Sequence, residues 1–206
     1  MSSDIKQWRR FMVEIKEYNI IAIMGKAGAG KDTFMNELVK IMPNTKPIIS
    51  CTTRPIREGE QDGVNYHYLT HDQFAEQVLN GKMLEATVFN DWCYGTSLNN
   101  LSLDCLNIGV FNPEGVEILR ANSHINLTVV YIKASDKVRL LRQLNREEHP
   151  DCHEIARRFM ADEKDFEETR IKNIIAPDCI ITNDGQFSIS ALAEAFYQQW
   201  REGNID

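Results

Sequence analysis

The chain has 206 residues, 43% of them hydrophobic and 26% charged, and its 30 acidic against 23 basic residues give a formal net charge of −7. This balance is that of a globular domain long enough to bury a core without disulfides. An acidic chain with no basic tail, and with no apolar run near the roughly 18 residues of a membrane span, argues against nucleic-acid and membrane partners.

In chain order, residues 1–17 carry Ile5, Trp8, Met12 and Ile15 at three- and four-residue spacing, which predicts an amphipathic helix that packs on the domain or forms a dimer contact. Tyr18–Met24 is nearly all apolar and suits a buried parallel strand. A glycine-rich turn follows, then a helical pattern (Phe34, Leu38, Ile41) closed by Pro43. Further strands are expected at Ile48–Cys51, Ile108–Phe111, Leu127–Ile132 and Cys179–Thr182, with helices over 72–80, 114–121, 135–146, 153–170 and 187–201. This alternation predicts an α/β fold around a mainly parallel sheet. Residues 52–70 and 145–153 break the rhythm and read as inserted, movable segments. Cys51, Cys93, Cys105, Cys152 and Cys179 are odd in number and lack CxxC spacing, so they read as free thiols. With no signal-peptide core at the N-terminus, a cytoplasmic location is expected, in a cell or an infected host cell.

Gly25-Lys26-Ala27-Gly28-Ala29-Gly30-Lys31 fits G-x-x-x-x-G-K between an expected strand and an expected helix. Gly25, Gly28 and Gly30 let the backbone wrap a phosphate with its N–H groups, and the helix N-terminus adds partial positive charge. Lys31 supplies a cation for the β- and γ-phosphates, so ATP is the expected ligand. The next position, which usually brings a hydroxyl to Mg²⁺, holds Asp32, and the hydroxyl follows at Thr33. We read Asp32 and Thr33 as the Mg²⁺ site, direct or through water; the alternative is that Asp32 only caps the helix.

The segment Ser50-Cys-Thr-Thr-Arg54-Pro-Ile-Arg57-Glu-Gly-Glu60-Gln-Asp-Gly63-Val-Asn-Tyr66 is rich in groups that suit a phosphate dianion. Arg54 and Arg57 offer planar, bidentate cations, Tyr66 and Tyr94 offer phenolic donors, and Glu60 can fix an arginine. The segment resembles the acceptor-binding stretch of the guanylate kinase family, with its Ser-x-Thr-Thr-Arg-x-x-Arg-x-Gly-Glu-x-x-Gly-x-x-Tyr pattern. The resemblance continues through Glu85, Tyr94-Gly95-Thr96 and the arginines after residue 139, and covers roughly residues 18–200. It implies a P-loop NTPase-type parallel sheet flanked by helices, with an acceptor-binding insertion at about 50–97 and a short lid at about 143–157. It also implies phosphoryl transfer from ATP to a nucleoside monophosphate, with GMP or dGMP the expected acceptor. Arg54, Arg57, Tyr66 and Tyr94 then hold the acceptor phosphate, and Ser50, Glu85 and Thr96 read the base. A carboxylate at Glu85 can accept the paired N1–H and N2–H₂ of guanine.

Aligned on Gly115-Val116, the family's Asp-x-Asp positions carry Val110 and Asn112 here, so both carboxylates are missing near the acceptor site. The Gly-Lys-Asp-Thr loop also resembles those of some viral deoxynucleoside monophosphate kinases, which keeps a broader deoxynucleotide kinase as an alternative. Arg142, Arg146 and Arg157 repeat the family's spacing of four and eleven, and a four-residue spacing puts Arg142 and Arg146 on one helix face. Arg142, Arg146 and Asn183 are the implied ATP ligands beyond the loop, with Lys31, Arg142 and Arg157 as the catalytic set. A non-catalytic protein-binding module and a ribosyl-bisphosphate kinase are the competing readings. The partners expected are small-molecule nucleotides, with the chain a monomer or homodimer.

Overall fold

The computed structural model describes residues 17–205 apart from 58, 90 and 147. The helix expected over 1–17 therefore lies outside the described residues, except for residue 17. Strand β1, Tyr18–Met24, organises the rest. Its side chains alternate between two cores: Ile20, Ala22 and Met24 face one, Ile21 and Ile23 the other. A strand apolar on both faces must be covered on both.

Parallel strands β7 (Leu106–Val110) and β8 (Ile125–Lys133) flank β1. Strand β2 (Thr45–Pro47) adds outside β7, and β9 (Cys179–Thr182) outside β8, giving the order β2-β7-β1-β8-β9. Helices α1 (Lys31–Ile41) and α6 (Ile189–Arg201) cover one face, where Phe34 and Phe196 meet edge to face at 6.0 Å. Helix α3 (Pro113–Arg120) and residues 166–175 cover the other, with Tyr131 stacked on Phe166 at 5.7 Å.

A second sheet, β4-β3-β6-β5, projects from the acceptor segment. Its strands are β3 (Cys51–Thr52), β4 (His67–Tyr68), β5 (Met83–Phe89) and β6 (Trp92–Ser97). Helix α2 (His71–Leu79) starts from a Thr70–Gln73 capping box and buries Phe74. Helices α4 (Asp136–Leu144) and α5 (Cys152–Asp165) lie between β8 and β9 in the chain. No helix among the described residues is long and apolar enough to cross a membrane.

Several expected elements are corrected. The strand expected at Ile48–Cys51 is a switch between sheets: Ile48 N–H still bonds Ile108 O at 2.7 Å, while Ser50 O already accepts from His67 N–H of the second sheet at 2.9 Å. The helix expected over 135–146 stops at Leu144, capped by Asn145, so Arg142 and Arg146 do not share a helix face. The helix expected over 153–170 ends at Asp165, where Phe166 turns into the core. A short turn (Glu168–Arg170) and a π-turn (Ile171–Ile175) follow, ended by Ala176 at φ 43°. The β5–β6 hairpin was not foreseen as strands.

Candidate functional site

The glycine-rich loop sits at the C-terminal end of β1, where open α/β sheets bind ligands. Gly28 and Gly30 take φ values of 77° and 97°, in the left-handed region. Space enforces the same choice: a Cβ on Gly28 would lie 2.5 Å from Arg139 O, and one on Gly30 would lie 2.7 Å from Asn183 Nδ2. Gly30 is the N-cap of α1, and among the described residues no side chain caps that helix. Asp32 is exposed in the first turn, so the reading of Asp32 as the cap is set aside. Thr33 beside it is exposed as well.

Lys31 is half-buried, and its Nζ donates to Lys26 O at 3.2 Å. Burial pulls its pKa below the ordinary lysine value; Asp32 and Asp162 oppose that shift, and Arg139 adds to it. On the loop's outer side, Asn183 Nδ2 donates to Ala29 O at 2.8 Å, and Asn183 Oδ1 accepts from Arg142 Nη2 at 3.2 Å. Arg142 Nη1 reaches Gly28 O and Ala29 O at 3.3 and 3.4 Å. Arg142 and Asn183 thus brace the loop through its carbonyls.

On the acceptor side, Arg54 is buried, and its Nη2 donates to both Glu60 oxygens at 2.9 Å. Glu60 also accepts from Arg57 N–H at 2.9 Å and from the Tyr68 hydroxyl at 2.7 Å. Burial raises the Glu60 pKa, but these donors together bring it below the usual carboxylate value. The Arg54 guanidinium lies 5.5 Å from the Tyr66 ring centroid and 5.8 Å from that of Tyr68. Tyr66 and Tyr94 meet edge to face at 6.1 Å. Burial, then Asp32 and Tyr94, push the Tyr66 phenol up, so it remains a protonated donor. Arg57 is half-buried, and among the described residues its guanidinium has no acceptor.

Glu85 and Thr96 are paired across β5 and β6. Glu85 is 7% exposed, and its Oε1 accepts from the Thr96 hydroxyl at 2.9 Å. Burial pushes its pKa from 4.5 up to about 7; bonds from Thr96 oppose this and Glu114 adds to it. Cys51 pairs with Gly95, which brings the preceding residue, Ser50, alongside Thr96. Asn112 is the N-cap of α3: its Oδ1 accepts from Gly115 N–H at 2.7 Å, and its Nδ2 donates to Thr87 Oγ1 at 2.8 Å. Both ends of that amide are engaged in tying α3 to the hairpin. Val110 ends β7 opposite Ile23.

Arg157 projects from α5 and pairs with Glu154 at 2.7 and 2.8 Å. It faces Arg54 and Arg57 across a cleft of about 1080 Å³. Arg146 is exposed and lies past the end of α4. Three contributors were not singled out from sequence. Tyr68 follows Tyr66 by two, and that strand spacing could have put both on one face. Asp162 and Arg139 gave no signal, since each sits among other charges on an amphipathic helix.

A family model described as guanylate kinase matches residues 17–198. Guanylate kinases of Helicobacter hepaticus and Chlorobium luteolum are 42% and 38% identical over 79 residues, 38% of this chain, so the chain spans 40% of each relative's length. A guanylate kinase of Legionella pneumophila is 30% identical over 146 residues, covering 68% of this chain and 69% of its own length. The crystal structure of guanylate kinase from Anaplasma phagocytophilum superposes with a TM-score of 0.63 over 93% of this chain and 88% of that one; at 18% identity this likeness shows the fold. With the match reaching from β1 into the last helix, through both the glycine-rich loop and the acceptor sheet, the chain belongs to the guanylate kinase family.

Proposed function

We propose that the protein transfers the γ-phosphate of ATP to GMP or dGMP, releasing ADP and GDP or dGDP. The observation that carries this reading is Glu85: a buried carboxyl, held by Thr96, with no cation among the groups that shift it. A carboxylate so placed lacks a counter-charge of its own and suits a ligand bearing two adjacent N–H donors, as guanine does. The domain limits stand as part of this proposal, with acceptor binding at about 50–97 and a lid at about 143–157.

Arg54, Arg57, Tyr66 and Tyr94 would hold the acceptor phosphate, with Glu60 fixing Arg54. That phosphate already carries the attacking oxygen, so no general base is required. The loop amides and Lys31 would hold the β- and γ-phosphates, with Arg142 and Asn183 on the donor side. Swinging α5 across the cleft would bring Arg157 onto the transferring group and exclude water; Arg146 would join it from the lid. Asp32 and Thr33 fit Mg²⁺ by their chemistry, because both are exposed oxygen donors at the loop, and Mg²⁺ bound to phosphates needs only one or two protein oxygens. Bound there, the ion would neutralise phosphate charge. One chain carries both halves of the site, so a monomer would suffice. The free cysteines fit a reducing cytoplasm, where we place the protein.

The direct test is GDP formation from ATP, Mg²⁺ and GMP. We expect turnover by the native chain and at least a hundredfold lower kcat for Lys31→Met; no GDP from the native chain contradicts the proposal. A companion prediction concerns Asp32→Ser: the Mg²⁺ concentration giving half-maximal rate should rise, and an unchanged Mg²⁺ dependence contradicts the metal role of Asp32.

A further inference from the structure

Helix α5 does more than carry Arg157. Near its other end, Asp162 reaches the glycine-rich loop, where its Oδ2 accepts from Ala27 N–H at 2.7 Å. The same peptide unit presents Lys26 O, which accepts from Lys31 Nζ at 3.2 Å. A single planar peptide therefore has Asp162 at one end and the Lys31 ammonium at the other. Arg139 of α4 completes the arrangement: its Nη1 contacts Asp162 Oδ2 at 3.1 Å and Ala27 O at 3.5 Å. The next residue on α5, Glu163, pairs with Lys26 and with Arg139 Nη2.

This cluster is poorly explained by stability alone. Arg139 is 0% exposed and Asp162 6%, and a buried ion pair can often be replaced by apolar residues without loss. Arg139 Nε is buried with no hydrogen-bond partner among the described residues, an unsatisfied donor that a purely structural pair would do better without. The guanidinium instead packs 4.7 Å from the Phe159 ring centroid, on α5 as well. Among the described residues, every remaining side-chain bond of the pair runs to α4, α5 or loop residue Ala27.

We propose that Asp162, oriented by Arg139, is a positioning residue that fixes the Lys26–Ala27 peptide and through it the place of the Lys31 ammonium. The inference rests on the proposed ATP site. It also couples that site to α5, because a movement of the helix that releases Ala27 N–H frees the peptide on which Lys31 rests. Burial raises the Asp162 pKa, while Ala27 N–H, Lys31, Arg139 and Lys26 favour its charged form. Asp162 in turn favours the charged form of Lys31.

The test compares full-length native protein with Asp162→Asn, Asp162→Ala and the double variant Arg139→Met/Asp162→Leu, reading melting temperature, kcat, and KM for ATP and GMP separately. The double variant should melt near the native temperature yet lose roughly tenfold to a hundredfold in kcat/KM for ATP, with KM for GMP little changed. Asparagine keeps an acceptor for Ala27 N–H, so Asp162→Asn should retain more ATP activity than Asp162→Ala. Its alkaline limb should also fall at lower pH, because Lys31 loses an anion. A folded double variant with native ATP kinetics overturns the proposal, and so does equal ATP activity in the Asn and Ala variants. Should the double variant not fold, the Asn–Ala comparison decides alone. If the native chain makes no GDP, the functional reading fails separately, and ATP affinity by calorimetry tests the positioning role through the same order: native, then Asn, then Ala.

Discussion

Glu85 is under opposing demands. The proposed reading of guanine needs its charged form, but its burial favours the neutral one and pushes its pKa up to about 7 against an ordinary 4.5. Between those values the native state binds more protons than the unfolded chain, so stability falls as pH rises from about 4.5 to about 7 and is level above that. The shift corresponds to roughly 3 kcal/mol lost at alkaline pH. Glu85→Gln removes the charge while its amide oxygen can still accept from Thr96. The variant should therefore melt higher than the native protein at about pH 8, and the gap should close towards about pH 5. It should also lose at least tenfold in kcat/KM for GMP. A native protein whose melting temperature is flat over that pH range contradicts the burial argument.

At the scale of elements, Glu60 ties the Arg54 guanidinium, the Arg57 amide and the Tyr68 hydroxyl together. Glu60→Gln leaves a buried cation without its anion, which should cost about 3 kcal/mol in chemical denaturation. KM for GMP should rise while KM for ATP holds; equal changes in both would show a general loss of structure instead. Strands β1 and β9 were legible because their own residues are apolar wherever they are buried or nearly so. Strand β5 was not, for a physical reason: its buried face presents Glu85 and Thr87, while Val88 is 65% exposed, so the usual apolar-in pattern runs backwards. Glu85, the residue proposed to read the base, is thus one of those that hide the strand. The candidate phosphate-binding residues were easier to single out, because G-x-x-x-x-G-K and the arginine-rich segment are local in sequence. The Arg139–Asp162 pair is 23 residues apart and charged, and nothing local distinguishes it from solvated surface. Periodicity also overran the end of α4, placing Arg146 on a face that the chain had already left.

Across the whole molecule, the glycine-rich loop lies at the end of the parallel sheet and the candidate acceptor groups lie on and beside the second sheet, with α5 facing both. Arg157 is paired with Glu154 at the cleft, and Asp162 on the same helix holds the donor loop. One helix thus contacts the P-loop at one end and faces the acceptor site at the other, which is the arrangement expected if closure is to depend on both nucleotides. Under the proposed function this assembly selects guanine, with Asn112 committed to the α3 cap and Glu85 left to read the base. The most direct measurement is ADP release from ATP and Mg²⁺ with GMP, dGMP, AMP, dAMP, CMP, dCMP, UMP and dTMP in turn. Turnover is expected with GMP and dGMP alone; comparable turnover with several other deoxynucleotides would contradict guanine selection and make the chain a broad deoxynucleoside monophosphate kinase.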